Sequence, residues 1–104
     1  MSNYRKGRYA EYRLMDYLRR LGAVYVTRSA GSHTLFDVVA LFPNGEVWFI
    51  QVKRGKARFK EKREIEELGK KVRGEKIVFV LARYDKGKWY LDVKRGETEI
   101  LIKK

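Results

Sequence analysis

Residues 36–54 constrain the fold of this chain more than any other stretch. Two β-branched and aromatic runs, 36–42 and Val47–Arg54, flank the turn Pro43-Asn44-Gly45. Both runs are apolar on both faces. Val38, Ala40, Ile50 and Val52 point one way, and Val39, Leu41, Val47 and Phe49 point the other. Strands of that kind lie in the middle of a sheet, covered on two sides. Three polar side chains, Asp37, Gln51 and Lys53, are set into these strands. A buried carboxylate, amide or ammonium is costly unless it is paired or binds something.

The turn decides whether the three meet. Pro43-Asn44-Gly45 suits a three-residue loop: Pro presets φ for the first position, Asn accepts the second, and Gly takes the left-handed bulge position. That loop pairs Phe42 with Glu46 and, counting outward, Asp37 with Gln51. Residues directly opposed across an antiparallel pair share a face, and Lys53 follows Gln51 by two, so all three converge. A two-residue Asn44-Gly45 loop would pair Asp37 with Val52 and send it to the other face.

Around this hairpin the pattern reads α-β-β-β-α-β-β-β. Residues 5–21 predict an amphipathic helix, with Ala10, Leu14, Tyr17, Leu18 and Leu21 on one face and Gly22 as its stop. Glu11 lies about 20° around that helix from Leu18, on the edge of the apolar stripe. An acid there needs a partner, and a salt-bridged glutamate is the structural alternative to a functional one. Residues 23–28 predict a strand and 59–73 a second helix, with Phe59, Ile65, Leu68 and Val72 on one side and Gly69 as a flaw. Residues 77–84, 89–93 and 98–102 predict the remaining strands. The last of these presents an edge that needs cover, which favours a dimer. The expected architecture is one α/β domain over residues 1–104, a mixed sheet of five or six strands flanked by helices.

The chain has 104 residues, of which 44% are hydrophobic, enough for one core despite 37% charged residues. No apolar run approaches the length of a membrane span, and no leader resembles a signal peptide. With no Cys there is neither a disulfide framework nor a thiolate metal site. The expected location is the cytoplasm. The abundance of Lys, Glu and Arg, with a single Gln, leans towards a thermophilic source. Lys and Arg number 25 against 13 Asp and Glu, a net charge of +12, which points to a polyanionic partner. The basic residues do not gather on one amphipathic helix, so nucleic acid is favoured over an anionic membrane.

Phosphodiester hydrolysis needs a cation to neutralise phosphoryl charge and to lower the pKa of an attacking water. Mg²⁺ takes oxygen ligands, and one or two protein groups suffice because it keeps several waters. Asp37 is the candidate principal ligand, with the Gln51 side-chain carbonyl and the Val52 backbone carbonyl as further oxygens. Lys53 can orient or deprotonate the water, or stabilise developing charge. Glu11, if its helix packs beside the hairpin, completes the site directly or through a water.

A Glu on the first helix, an Asp opening a strand and an amide-x-Lys on the next together resemble the PD-(D/E)-x-K nuclease superfamily. More specifically, Arg5-Lys6-Gly7…Glu11, Arg28-Ser29-Ala30-Gly31-Ser32, Asp37 and Val52-Lys53 resemble the archaeal Holliday junction resolvases. The resemblance covers residues 4–54 and continues more loosely to residue 90. It implies a restriction-endonuclease-like fold and a homodimer that binds four-way DNA junctions and nicks them in pairs with Mg²⁺, or Mn²⁺ in its place, in recombination or repair. No small-molecule cofactor is implied. Glu11, Asp37 and Lys53 would be catalytic, with Arg28 and Ser32 near the scissile phosphate. Three positions depart from the pattern. Phe36 stands in the place of Pro, Tyr12 replaces a basic residue, and Gln51 replaces a Glu, which weakens cation binding by one negative charge.

Beyond the cluster, Arg54, Lys56, Arg58 and Lys60 follow the catalytic strand as candidate phosphate contacts, and Arg5 and Lys6 are candidates in the N-terminal arm. Phe59 is expected under the second helix. Ser32 reads as a phosphate-binding hydroxyl, while His33 reads as a surface loop residue, because no acid completes a triad. Trp48, Trp89 and Tyr90 read as core or interface aromatics. The rival functions are a nuclease for other branched DNA, a catalytically weak or inactive DNA-binding protein on the same fold, and a basic RNA-binding protein.

Overall fold

The computed structural model describes residues 3–29, 35–54, 59–72, 74–86, 88–95 and 98–103. The elements run α1 (Asn3–Arg20), β1 (Tyr25–Arg28), β2 (Val38–Leu41), β3 (Val47–Arg54), α2 (Phe59–Lys71), β4 (Ile77–Asp85), β5 (Lys88–Arg95) and β6 (Thr98–Lys103). All six strands form one sheet in sequential order. Every neighbouring pair is antiparallel except β3 and β4, which run parallel. A parallel pair cannot be closed by a tight turn, and α2 supplies the crossover. Among the described residues no helix is long and apolar enough to cross a membrane.

The sheet is covered on both faces at its centre. On one face Ala10, Leu14, Met15 and Leu18 of α1 pack on Val38, Ala40, Ile50, Val78, Val80, Leu91 and Val93, with Trp48 and Trp89 in the same cluster. On the other face Ile65 of α2 meets Phe79 and Leu81, with Phe36, Phe49, Leu68 and Val72 around them. The strands that read as apolar on both sides are therefore the inner ones, as their sequence requires. Helix α1 ends at a left-handed Gly22 (φ 112°). Ala23 N–H donates to the Leu18 carbonyl (3.1 Å) and Gly22 N–H to that of Arg19 (3.0 Å), the paired bonds of a Schellman stop. Leu21, expected on the apolar face, instead lies beyond the last helical residue and is exposed, because the chain reverses there.

The central hairpin has the three-residue loop. Gly45 N–H donates to the Phe42 carbonyl and Phe42 N–H to that of Glu46, each at 3.0 Å, with Gly45 at φ 91°. The Asn44 side-chain oxygen accepts the Glu46 N–H at 3.0 Å and stiffens the turn. Val38 pairs with Ile50 and Leu41 with Val47, so the register is the one that places position 37 opposite 51.

Two glycines should respond to alanine with opposite signs. Nothing surrounds the Gly45 Cβ position, so Gly45→Ala is opposed only by its left-handed backbone and should destabilise by about 1–2 kcal/mol. At Gly69, inside α2, an added Cβ meets the Lys94 side chain at 3.5 Å, an ordinary contact. Gly69→Ala should therefore stabilise by about 0.5–1 kcal/mol through helix propensity. Denaturant unfolding of the two variants checks both signs.

Candidate active site

Asp37 sits one residue before β2 and is held from three directions. Its carbonyl accepts the Ser29 N–H (2.9 Å), and its own N–H donates to the Ile50 carbonyl (2.8 Å). Its carboxylate Oδ2 accepts the Val52 N–H at 2.8 Å. The side chain thus takes a ladder position that a backbone carbonyl would otherwise fill, which fixes the carboxylate against β3. In an extended strand a residue's N–H and C=O leave on the same side, so the Val52 carbonyl also faces the Asp37 side.

Burial raises the pKa of Asp37 above the ordinary carboxylate value, against the lowering effects of the Val52 N–H, of Lys53 and of Arg28. Both cations therefore act on this carboxylate. Lys53 comes from the face of β3 that carries Phe49 and Gln51, the α2 face. Arg28 pairs with Val38 and belongs to the α1 face. Asp37, at the strand end, is where the two faces meet.

Gln51 is 8% exposed and is the buried polar residue of the described core. Its Oε1 has no hydrogen-bond partner. An orphaned carbonyl oxygen is costly in such a place, and Gln51 directly precedes Val52, whose N–H the Asp37 carboxylate accepts. The Asp37 carboxylate, Gln51 Oε1 and the Val52 carbonyl are hard oxygen donors, the kind that Mg²⁺ takes. Among the described residues no three His, Cys, Asp or Glu side chains gather at one point, so the acid count of the site is low.

Glu11 has found its partner. Arg28 Nε donates to Glu11 Oε2 at 2.7 Å, and both side chains are 19% exposed. Arg28 Nη1 also donates to the Tyr12 hydroxyl at 3.3 Å, and the guanidinium carbon stands 5.2 Å from the Tyr12 ring centroid. Burial opposes the charge on Arg28, but Glu11 and then Tyr12 outweigh it, and the pKa of Arg28 is raised. Sequence reasoning missed this pairing. Its signal was an acid on the edge of an apolar stripe and a base at the end of the first strand, and nothing local links positions 11 and 28.

The other candidates are placed less fully. Arg5 and Lys6 belong to the start of α1, Arg54 ends β3, and Lys60 follows the first residue of α2. Ser32, His33, Lys56 and Arg58 lie outside the described residues. Trp48 and Trp89 are buried, and Tyr90 is partly buried with the Arg83 guanidinium 4.8 Å from its ring centroid.

No protein-family model and no curated protein sequence matches the chain. A solved structure does. The 1.6 Å structure of Archaeoglobus fulgidus Hjc, a Holliday junction resolvase from an archaeal hyperthermophile, matches with a TM-score of 0.61 and 22% identity. The match covers 93% of this chain and 83% of Hjc. The chain shares the fold of that structure, a mixed sheet flanked by helices, as the resemblance at Glu11, Asp37 and Val52-Lys53 implied, and at this identity the likeness speaks for the fold alone.

Asp37 should weaken the protein at neutral pH. A carboxyl whose folded pKa is raised keeps its proton longer in the folded state than in the unfolded one. Stability therefore falls as pH rises from the unfolded value, about 3.9, through the folded value, and stays lower above it. Asp37→Asn keeps an oxygen for the Val52 N–H and removes the charge. In thermal melts without divalent cations it should unfold at a higher temperature than wild type at pH 7, with the gap closing below pH about 4.

Proposed function

We propose that this chain is a divalent-cation-dependent DNA endonuclease of the Holliday junction resolvase type, acting as a homodimer on four-way junctions. The observation that carries the reading is the orphaned, buried Gln51 Oε1 next in sequence to Val52, whose N–H the Asp37 carboxylate accepts, with Lys53 acting on that carboxylate. A core without a ligand to bind has no use for an amide, an acid and an ammonium at one strand end. The fold, the charge of +12 and the arginine beside Asp37 support the same reading.

Mg²⁺, or Mn²⁺, would be held by Asp37, Gln51 Oε1 and the Val52 carbonyl. When bound, such a cation neutralises phosphoryl charge and makes water more acidic. Lys53 orients the attacking water or stabilises the charge that develops on the phosphoryl oxygens. Arg28 grips a phosphate oxygen, for which a guanidinium is well shaped. Ser32 adds a hydroxyl to the same phosphate. Arg5, Lys6, Arg54, Lys56, Arg58 and Lys60 supply backbone contacts that set affinity without reading sequence.

A second reading has its own support. With an amide at position 51 the site has one fewer acid than the related nucleases, and a DNA-binding protein without activity needs none. Other branched DNA is the remaining substrate alternative within the nuclease reading.

The deciding measurement is cleavage of a labelled four-way junction in Mg²⁺, Mn²⁺ and EDTA, with linear duplex and a nicked fork as competitors. Paired nicks in either metal and none in EDTA are expected. Asp37→Asn should lower the rate on the order of a thousandfold, and Lys53→Ala on the order of a hundredfold with junction binding in EDTA retained. Gln51→Glu should bind Mg²⁺ on the order of tenfold more tightly and melt lower in EDTA, because two carboxylates then repel. Tight junction binding with no cleavage in either metal would establish the inactive binder instead.

A further inference from the structure

Tyr12 has no evident structural duty in α1. It is 49% exposed, and its ring and hydroxyl both turn to Arg28. Arg28 is thereby held by two consecutive residues of the helix: Nε by Glu11 at 2.7 Å, and Nη1 by Tyr12 at 3.3 Å with the ring 5.2 Å from the guanidinium carbon. The guanidinium is therefore held at Nε and at Nη1, and its charge bears on Asp37. An exposed arginine normally loses much of its affinity for a phosphate to side-chain entropy, and a pre-ordered fork avoids that loss.

We infer that Glu11 and Tyr12 are positioning residues that hold Arg28 as a phosphate grip beside Asp37, and that Glu11 does not ligate the cation. The phosphate part rests on the proposed function; the clamp itself is a property of the free protein. Two alternatives give different signs. A Glu11 that ligated the cation would lower cation affinity when changed to Gln. A Glu11 that acted only as a negative charge would weaken DNA binding, so its removal would strengthen it. A positioning Glu11 does neither: its loss frees Arg28 and weakens DNA binding, although the protein becomes more positive.

Glu11→Gln, Tyr12→Phe, Tyr12→Ala, Arg28→Ala and the Tyr12→Ala/Arg28→Ala pair test this, each checked for folding by circular dichroism. Three readouts are needed: the ¹⁵N resonance of Arg28 Nε–H without DNA or metal, Mn²⁺ binding by electron paramagnetic resonance, and junction binding in EDTA. The wild-type Nε–H should exchange slowly with solvent, and that protection should vanish in Glu11→Gln and fall in Tyr12→Ala. Mn²⁺ affinity in Glu11→Gln should stay within about twofold of wild type, since a residue outside the coordination shell acts only through screened charge. Junction binding should weaken about fivefold in Tyr12→Ala and on the order of tenfold in Glu11→Gln and Arg28→Ala. Tyr12→Phe, which keeps the ring, should lie between wild type and Tyr12→Ala. The double variant should bind no worse than Arg28→Ala alone, because coupled residues do not add. Tighter junction binding by Glu11→Gln, loss of its Mn²⁺ affinity, or additive effects in the double variant would overturn the inference. A wild type that binds no junction would sink the proposed function instead, and Nε–H protection that survives both Glu11→Gln and Tyr12→Ala would sink the clamp.

Discussion

The hydrogen bond from Val52 N–H to the Asp37 carboxylate is the constraint on which the site depends. It places a side-chain oxygen where the β2–β3 ladder would otherwise have a main-chain one, so the carboxylate cannot swing into solvent without orphaning a backbone donor. The same bond exists only because the hairpin turns in three residues. With Phe42 opposite Glu46, Val38 opposes Ile50 and Asp37 follows at the strand end, and a loop one residue shorter would carry the acid to the other face. Turn chemistry at Pro43-Asn44-Gly45 thus reaches through five residue pairs to set the geometry of the acid.

The position of Asp37 at a strand end lets two faces of one sheet contribute to a single place. The α2 face brings Gln51 and Lys53 along β3. The α1 face brings Arg28 from β1, with Glu11 and Tyr12 from the helix above it. Gln51 and Lys53 lie in the C-terminal half of β3, the strand that runs parallel to β4. Carboxyl ends of parallel strands are where α/β sheets commonly place their ligands, since the crossover helix starts beyond them and leaves an opening. On the α1 face the core around Leu14, Leu18, Ile50 and Val80 extends to this end of β3 through Val52.

What the sequence made legible was whatever follows from local periodicity and turn chemistry. The bounds of β3, the stop at Gly22 and the three-residue turn of the central hairpin all come from short-range rules, and the structure has each of them. The element order was equally readable, because each strand is short and bounded by turn residues. Strand and helix ends moved by a residue or more: β2 starts at Val38 rather than at position 36, because Asp37 N–H bonds to Ile50 and leaves the regular ladder. The Glu11–Arg28–Tyr12 contact was not legible. It joins a helix and a strand 16 and 17 residues apart, and its existence depends on how α1 lies over β1, which no local rule fixes. The edge position of Glu11 signalled that a partner was required without saying which.

The amide at position 51 changes where the negative charge of the site must come from. In the free protein Asp37 is partly buried and already feels Lys53 and Arg28, and Glu11 is committed to Arg28. A divalent cation brought to one carboxylate, one amide oxygen and one carbonyl would meet less than its own charge in ligands, so on the proposed function its affinity for the free protein would be low. On the proposed function, the missing charge is carried by the DNA. A phosphate held by Arg28 would add anionic oxygens next to Asp37, and the cation and the DNA would then strengthen each other's binding by the same factor. A strongly basic chain suits that division: its surface draws the polyanion in first, and the site acquires its full complement of charge only when substrate is present. On that proposal, an amide in place of an acid would favour cation loading, and with it hydrolysis, in the DNA-bound state.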